Sequence, residues 1–210
     1  MLDLHVPPLP AEQGERLLRD AYKRDFWERY DAIRDRGSWK LERRQHFEEQ
    51  GSASRDALTR GDWSEALRLI EERRADLLAD AREDARRGSV FHRLRVVEEP
   101  LTPYVQWQLH SLRQRADVGG EKIRTIRAEA VAASETDGPL PEVVVLGGQT
   151  LYQVLYSESG VSEGAVRYTD AEIVGRWKGY LKELYGAGED VQSYFAREVA
   201  HLPAPTVKAE

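Results

Sequence analysis

The chain has 210 residues, 32% charged and 40% hydrophobic, with a net charge of -6, one methionine and no cysteine. That length fits one domain, or one domain with a helical extension. The absent cysteines exclude a disulfide scaffold, a thiolate zinc site, an iron–sulfur cluster and a cysteine nucleophile.

In chain order, residues 1–10 read as a loose arm, because Pro7, Pro8 and Pro10 forbid a helix. From about Ala11 to Arg36, Leu18, Tyr22, Phe26, Tyr30 and Ile33 form one helical stripe, and Gly37 stands where a C-terminal cap belongs. Trp39 and Leu41 alternate briefly within residues 38–50, which predicts a short strand or extended segment. Ser52 or Ser54 caps a short helix ending near Gly61. Asp62 and Glu65 form a capping-box pair before the longest predicted helix, which runs to about Arg87 and ends at Gly88.

The character changes at Val90. The segment VFHRLRVV predicts a strand with Phe91, Arg93, Arg95 and Val97 on one face and Val90, His92, Leu94 and Val96 on the other. Thr102 then caps a helix whose first position is Pro103, where a missing N–H matters least. Val118-Gly119-Gly120 turns into a strand over residues 122–127. Glu142–Leu146, Thr150–Tyr156 and Gly164–Tyr168 read as an antiparallel meander. Asp170 caps a helix carrying Ile173, Val174, Trp177, Leu181 and Leu184. A last helix covers about Asp190–Ala200, and residues 203–210 read as a frayed tail.

This order predicts an α/β or α+β fold: a mixed, partly antiparallel sheet of five to six strands flanked by helices, with an N-terminal helical layer. The expected divisions are an arm over 1–10, a helical region over 11–89, a mixed-sheet domain over 90–202 and the tail, together one structural unit. No stretch approaches the roughly 18 apolar residues of a membrane helix, and the N-terminus lacks the apolar run of a signal peptide. A cytoplasmic protein without membrane contact is the expectation.

No Walker sequence, dinucleotide fingerprint, nucleophile elbow or zinc-protease motif occurs. His5, His46, His92, His110 and His201 are too scattered for a local metal motif, so neither metal nor cofactor is expected. Candidate chemistry gathers instead around Arg93 and Arg95, two guanidiniums on one strand face. Tyr104, Trp107 and Gln108 share one side of the following helix, and Glu121 and Arg124 follow on the next strand. The aromatics either pack in the core or form a wall beside the arginines. The arginines either sit at a half-exposed edge or pair with carboxylates such as Glu121.

Residues 91–126 resemble the signature of an actinobacterial family known as domain of unknown function 6879. The likeness rests on Arg93-Leu94-Arg95-Val96-Val97, Pro100-Leu101-Thr102-Pro103-Tyr104, Trp107-Gln108-Leu109 and Gly120-Glu121-Lys122-Ile123-Arg124. Upstream FWERYDAIRDRGSWKLERRQHF and downstream LPEVVVLGGQTLYQVLYSESG extend it over about residues 25–202. The resemblance implies no agreed enzyme activity, and genes that often neighbour helix-turn-helix regulators. The layout is also distantly similar to half of a phospholipase-D-like fold, whose chemistry needs His-x-Lys. Here the histidines read His92-Arg93-Leu94, His110-Ser111-Leu112 and His46-Phe47-Glu48.

The leading expectation is therefore a non-catalytic regulatory or protein-interaction module. Its partner would be another protein, such as a helix-turn-helix regulator, and its site would be Arg93, Arg95, Tyr104, Trp107, Gln108, Glu121 and Arg124. An alternative is a protein that binds or hydrolyses a nucleotide or phosphate ester in a pocket near Arg93, Arg95, Tyr104, Trp107 and Glu121. A second alternative, a DNA-binding regulator, is disfavoured by charge. Twelve acidic and six basic side chains in residues 131–210 carry the whole imbalance and leave residues 1–130 neutral, so neither half has a strong basic field.

Overall fold

The computed structural model describes residues 4–206. Its strands are β1 (Glu15–Leu18), β2 (Gly37–Glu42), β3 (Val90–Val97), β4 (Glu121–Arg127), β5 (Val143–Leu146), β6 (Thr150–Tyr156), β7 (Ser162–Tyr168) and β8 (Glu189–Asp190). All eight belong to one sheet, in the order β1-β7-β6-β5-β2-β3-β4-β8. The sheet is mixed and flanked by helices, as expected, but has eight strands rather than five to six. The two outermost strands, β1 and β8, are four and two residues long, too short to leave a periodic signal.

β2 lies within the region expected to be helical, yet it joins the two halves of the sheet. It runs parallel to β3 and antiparallel to β5. On one side the β2-β3-β4 array is parallel, and its connections carry helices α2 (Ala53–Thr59), α3 (Trp63–Glu72), α4 (Arg74–Arg86) and α5 (Pro103–Asp117). On the other side β5-β6-β7 is the expected antiparallel meander.

One face of the sheet packs Leu41, Leu94, Val96 and Val145 against Trp177, Leu181 and Leu184 of α7 (Ala171–Ala187). On the other face the helices form two groups. Val97 and Ile123 pack with α5, α2, α3 and α8 (Val191–Tyr194). Phe91, Val144, Leu146 and Tyr152 pack with Tyr22, Phe26 and Tyr30 of α1 (Arg19–Asp31). A four-residue helical turn, α6 (Ala128–Val131), follows β4.

The expected caps are present. Ser52, Asp62, Thr102 and Asp170 each accept a hydrogen bond from a backbone N–H in the first turn of their helix. Gly88 adopts φ +64, and the N–H groups of Gly88 and Ser89 bond back to Ala85 and Asp84, closing α4 with a Schellman turn.

Other boundaries shift. The first helix begins only at Arg19, because residues 15–18 extend along β7; Gly37 opens β2, and Asp35 takes the left-handed position with φ 51. The long predicted helix breaks at Arg73 with no glycine or proline to mark it. The cause is tertiary: α3 buries Ala66 and Ile70 in the α5 group, whereas α4 must reach α1, where Asp84 accepts a hydrogen bond from the Tyr30 hydroxyl at 2.7 Å. The last helix is a short α8 followed by a π-helical turn over Phe195–Val199. Residues 4–10, expected to be loose, lie against the α7-side core through Leu4, Val6 and Leu9, and Ser134 donates to the Leu4 carbonyl at 2.9 Å. Pro203 accepts from Gln106 at 2.8 Å; residues 1–3 and 207–210 of the expected arm and tail lie outside the described residues.

Gly164 fixes the β1 edge. It has φ +128, and a Cβ there would come within 2.1 Å of the Leu17 carbonyl oxygen. Gly164→Ala should therefore push β1 off β7 and lower stability by roughly 1–3 kcal/mol. Hydrogen exchange at the amides of residues 15–18 should rise sharply, and unchanged protection there would refute the assignment.

Candidate functional site

The gap between the two helix groups opens over the middle of the sheet, where β2 and β3 run side by side. Their register pairs Lys40 with Arg93 and Glu42 with Arg95. Because side chains alternate along a strand, all four project to the cleft side, opposite Trp39, Leu41 and Leu94. The sheet centre thus carries a charged stripe where a buried sheet would ordinarily carry aliphatic residues.

The stripe is tightly wired. Arg93 grips Glu121 bidentately, with Nε donating to Oε2 at 2.6 Å and Nη2 to Oε1 at 3.0 Å. Its Nη1 donates to Glu42 Oε1, which also pairs with Lys40 Nζ at 2.7 Å. Arg115, from the last turn of α5, reaches Glu121 Oε1 at 3.2 Å. Gln108 bridges the two layers: its Oε1 accepts from Arg95 Nε at 2.7 Å and its Nε2 donates to Glu42 Oε2 at 3.3 Å.

Arg95 is fully buried. Its Nη1 donates to the carbonyls of Glu42 and Val96, while Nη2 has no partner among the described residues. Burial pushes its pKa down, although a guanidinium stays charged in proteins. Burial pushes the Glu42 carboxyl up, but Arg93, Lys40 and Arg95 outweigh that and hold it well below the usual carboxylate range. Glu121 is likewise raised by burial and brought below its ordinary value by Arg93 and Arg115. Both carboxylates therefore act as fixed negative charges.

Two cavities meet on this floor. One, of about 820 Å³, lies between β2, the 47–54 segment, α3 and α5, with Lys40, Glu42, Arg93 and Gln108 at its base. The other, of about 480 Å³, lies between α1 and α4 and is walled by Tyr22, Phe26, Trp27, Tyr30 and Phe91. Lys40, Leu77, Arg93 and Arg115 line both, so the two form one cleft with α4 above the junction.

Of the residues singled out by sequence, Arg93, Arg95, Gln108 and Glu121 come together in this network. Trp107 borders the larger cavity but is held in the core, its Nε1 donating to Ser54 Oγ at 2.8 Å. Tyr104 is buried as well; its hydroxyl donates to Glu49 at 2.5 Å, and burial followed by Glu49 raises its pKa well above the ordinary tyrosine value. Of the two alternatives for these aromatics, packing in the core is the one they take. Arg124 is not part of the cluster. It faces α7, where Nη1 donates to the carbonyls of Tyr185 and Gly186 and the guanidinium lies 4.8 Å from the Tyr185 ring centroid.

Sequence reasoning missed Lys40, Glu42 and Arg115. A signal existed for the first two: Lys40 and Glu42 are charged residues two apart in a segment whose other face, Trp39 and Leu41, is apolar. That is what a strand with one polar face would show.

A protein-family model described as a domain of unknown function (DUF6879) matches residues 24–196. Neither a curated protein nor a solved structure matches the chain significantly. Among the described residues, no helix is long and apolar enough to cross a membrane.

Proposed function

The chain belongs to the DUF6879 family, and from that premise we propose that it is a non-catalytic ligand-binding module whose cleft receives a small molecule through an anionic group. The observation that carries this reading is the excess of unused donors on the cleft floor. Lys40 has three N–H donors and one carboxylate partner, and Arg115 has five and one. On the floor three lining cations, Lys40, Arg93 and Arg115, with Arg95 buried behind them, meet the two carboxylates Glu42 and Glu121; Glu48 and Glu49 line the larger cavity farther along. A carboxylate or phosphate group would supply the missing acceptors in a partly desolvated site.

The same geometry argues against acid–base chemistry. A general acid or base works best with a pKa near the operating pH, whereas Glu42 and Glu121 are held ionised by their guanidinium neighbours. None of the five histidines lines either cavity. His92, adjacent to Arg93 in β3, alternates to the opposite face, where burial lowers its pKa; His110 is pushed down to about 4 by burial, helped by Arg113. A regulatory role fits a binding module of this kind. Tyr104 and Trp107 are inside, so at this cluster they supply no surface for a protein partner.

Thermal-shift screening against inorganic phosphate, nucleoside monophosphates, sugar phosphates and amino acids tests the proposal. A ligand at a hundred times its Kd should add about 2.7 kcal/mol of stability. The shift should disappear in Lys40→Met. A panel that leaves the wild-type melting temperature unmoved would overturn the reading.

A further inference from the structure

The smaller cavity has a different chemistry from the floor beneath it. Five aromatic side chains wall it, and three of them come from consecutive turns of α1: Tyr22, Phe26 and Tyr30. Trp27 stands at its rim and is 57% exposed, the most exposed aromatic side chain of the described residues. It is also braced. Its ring meets Phe26 edge-on at 5.3 Å and Tyr30 edge-on at 5.6 Å. An exposed indole held in one orientation presents a fixed π surface, which attracts organic cations.

The chamber already accommodates cations of its own. The Arg87 guanidinium lies 5.1 Å from the Tyr30 ring centroid, and that of Arg93 lies 5.8 Å from the Phe91 centroid. The carboxylates around it are nearly all committed: Asp31 and Asp84 to Arg87, Glu83 to Arg86, and Glu121 to Arg93 and Arg115. Asp80 is the exception. It lines the chamber from the exposed side of α4 and has no ion-pair partner among the described residues. One helical turn earlier, Asp76 lines the larger cavity, also without an ion pair, alongside Arg73 at the same mouth. A free carboxylate and an exposed indole lining the same chamber are together a site for an alkylammonium or guanidinium group.

This cationic subsite shares Lys40, Arg93 and Arg115 with the anion-receiving floor, so both ends of one small molecule can be held at once. Resting on the ligand-binding reading above, we infer that the cleft takes a zwitterionic small molecule: a carboxylate or phosphate head on Lys40 and Arg115, and an ammonium or guanidinium tail against Trp27 and Asp80. Such a ligand also suits the electrostatics of approach. The exposed carboxylates of the cleft lining, Glu72, Asp76, Asp80 and Glu83, disfavour a multiply charged anion more than a molecule whose anionic head is offset by its own cation.

Isothermal titration with matched probes tests this. Phosphocholine is compared with choline and inorganic phosphate, and L-arginine with agmatine and acetate, so that phosphate and carboxylate heads are read separately. At least one zwitterion should bind 10-fold or more tightly than either of its halves. In Trp27→Ala and in Asp80→Asn, both on exposed positions, that advantage over the anion alone should collapse toward one. In Arg115→Gln the zwitterion and the anion should weaken together. Inorganic phosphate binding as tightly as phosphocholine, with acetate matching arginine, would overturn the zwitterion and leave an anion site standing. Absence of binding by every probe would overturn it too, and the broader thermal-shift panel would then decide the anion site separately.

Discussion

Glu42→Gln should be among the most destabilising single substitutions in the cleft, lowering unfolding free energy by about 3–5 kcal/mol. The side chain is almost identical in size, so packing is not the cause. Glu42 is the negative centre against which Lys40 and Arg93 are packed, with Arg95 beside them on the neighbouring strand. Neutralising it leaves Arg93 with Glu121 as its one remaining carboxylate partner, strips Lys40 of its ion pair and Arg95 of its strongest counter-charge, and leaves Gln108 Nε2 facing an amide instead of a carboxylate. Against a typical total of about 5–15 kcal/mol, that is a large fraction. The companion variant is Arg93→Met. If the two groups act through one another, the double substitution Glu42→Gln with Arg93→Met loses clearly less than the sum of the singles, by about 1–3 kcal/mol. Urea denaturation of the four proteins measures this. A loss under about 1 kcal/mol for Glu42→Gln would show that the network is hydrated rather than buried.

The second large effect depends on pH and has the opposite sign. Glu142 sits at the start of β5, and its Oε1 accepts hydrogen bonds from the backbone N–H groups of Arg43 at 2.8 Å and Arg44 at 2.6 Å, where the chain leaves β2. Burial dominates and pushes its pKa up to about 7, despite those two bonds. A carboxyl whose folded pKa is raised binds its proton more tightly in the native state than in the unfolded one. Its contribution therefore favours folding below the unfolded value near 4.5 and is lost as pH rises through 7. Glutamine keeps the acceptor oxygen and never ionises. Glu142→Gln should match wild type near pH 4.5 and exceed it at pH 8 by roughly 2–3 kcal/mol. Denaturation of both proteins at the two pH values isolates the effect, and a difference independent of pH would rule out a buried, protonated Glu142.

The parts of this fold legible in the sequence are those with strong local causes. Thr102 followed by Pro103, Asp170, and Gly88 after α4 mark helix ends by capping chemistry that operates within a few residues. The β3 face assignment followed from strict alternation, and it placed Arg93 and Arg95 on one side correctly. What escaped had tertiary causes. β1 looks like helix because Leu18 falls in register with Tyr22 and Phe26, and only pairing with β7 makes it extended. β2 is legible as a short strand or extended segment through Trp39 and Leu41, but not as the strand that joins the two halves of the sheet, because its inward positions are Lys40 and Glu42, which are tolerated there only because Arg93 and Gln108 face them. Arg124 looked like a partner of Arg93 from its place in the motif. A parallel register that sets it opposite Leu94 turns it to the other face.

The position of β2 has a consequence for how the chain is made. It emerges from the ribosome about fifty residues before β3 and about a hundred before β5, the two strands that flank it. At ~5–20 residues per second the wait for β5 is roughly 5–20 s. Until β3 emerges, a segment with Trp39 and Leu41 on one side has unpaired backbone on both edges, and from then until β5 arrives its other edge stays open. Helices α2 to α4 can form meanwhile, but the sheet cannot close until the last third of the chain arrives. Nascent chains arrested before residue 143 should accordingly remain sensitive to protease around residues 37–42 and bind chaperones that hold extended hydrophobic segments.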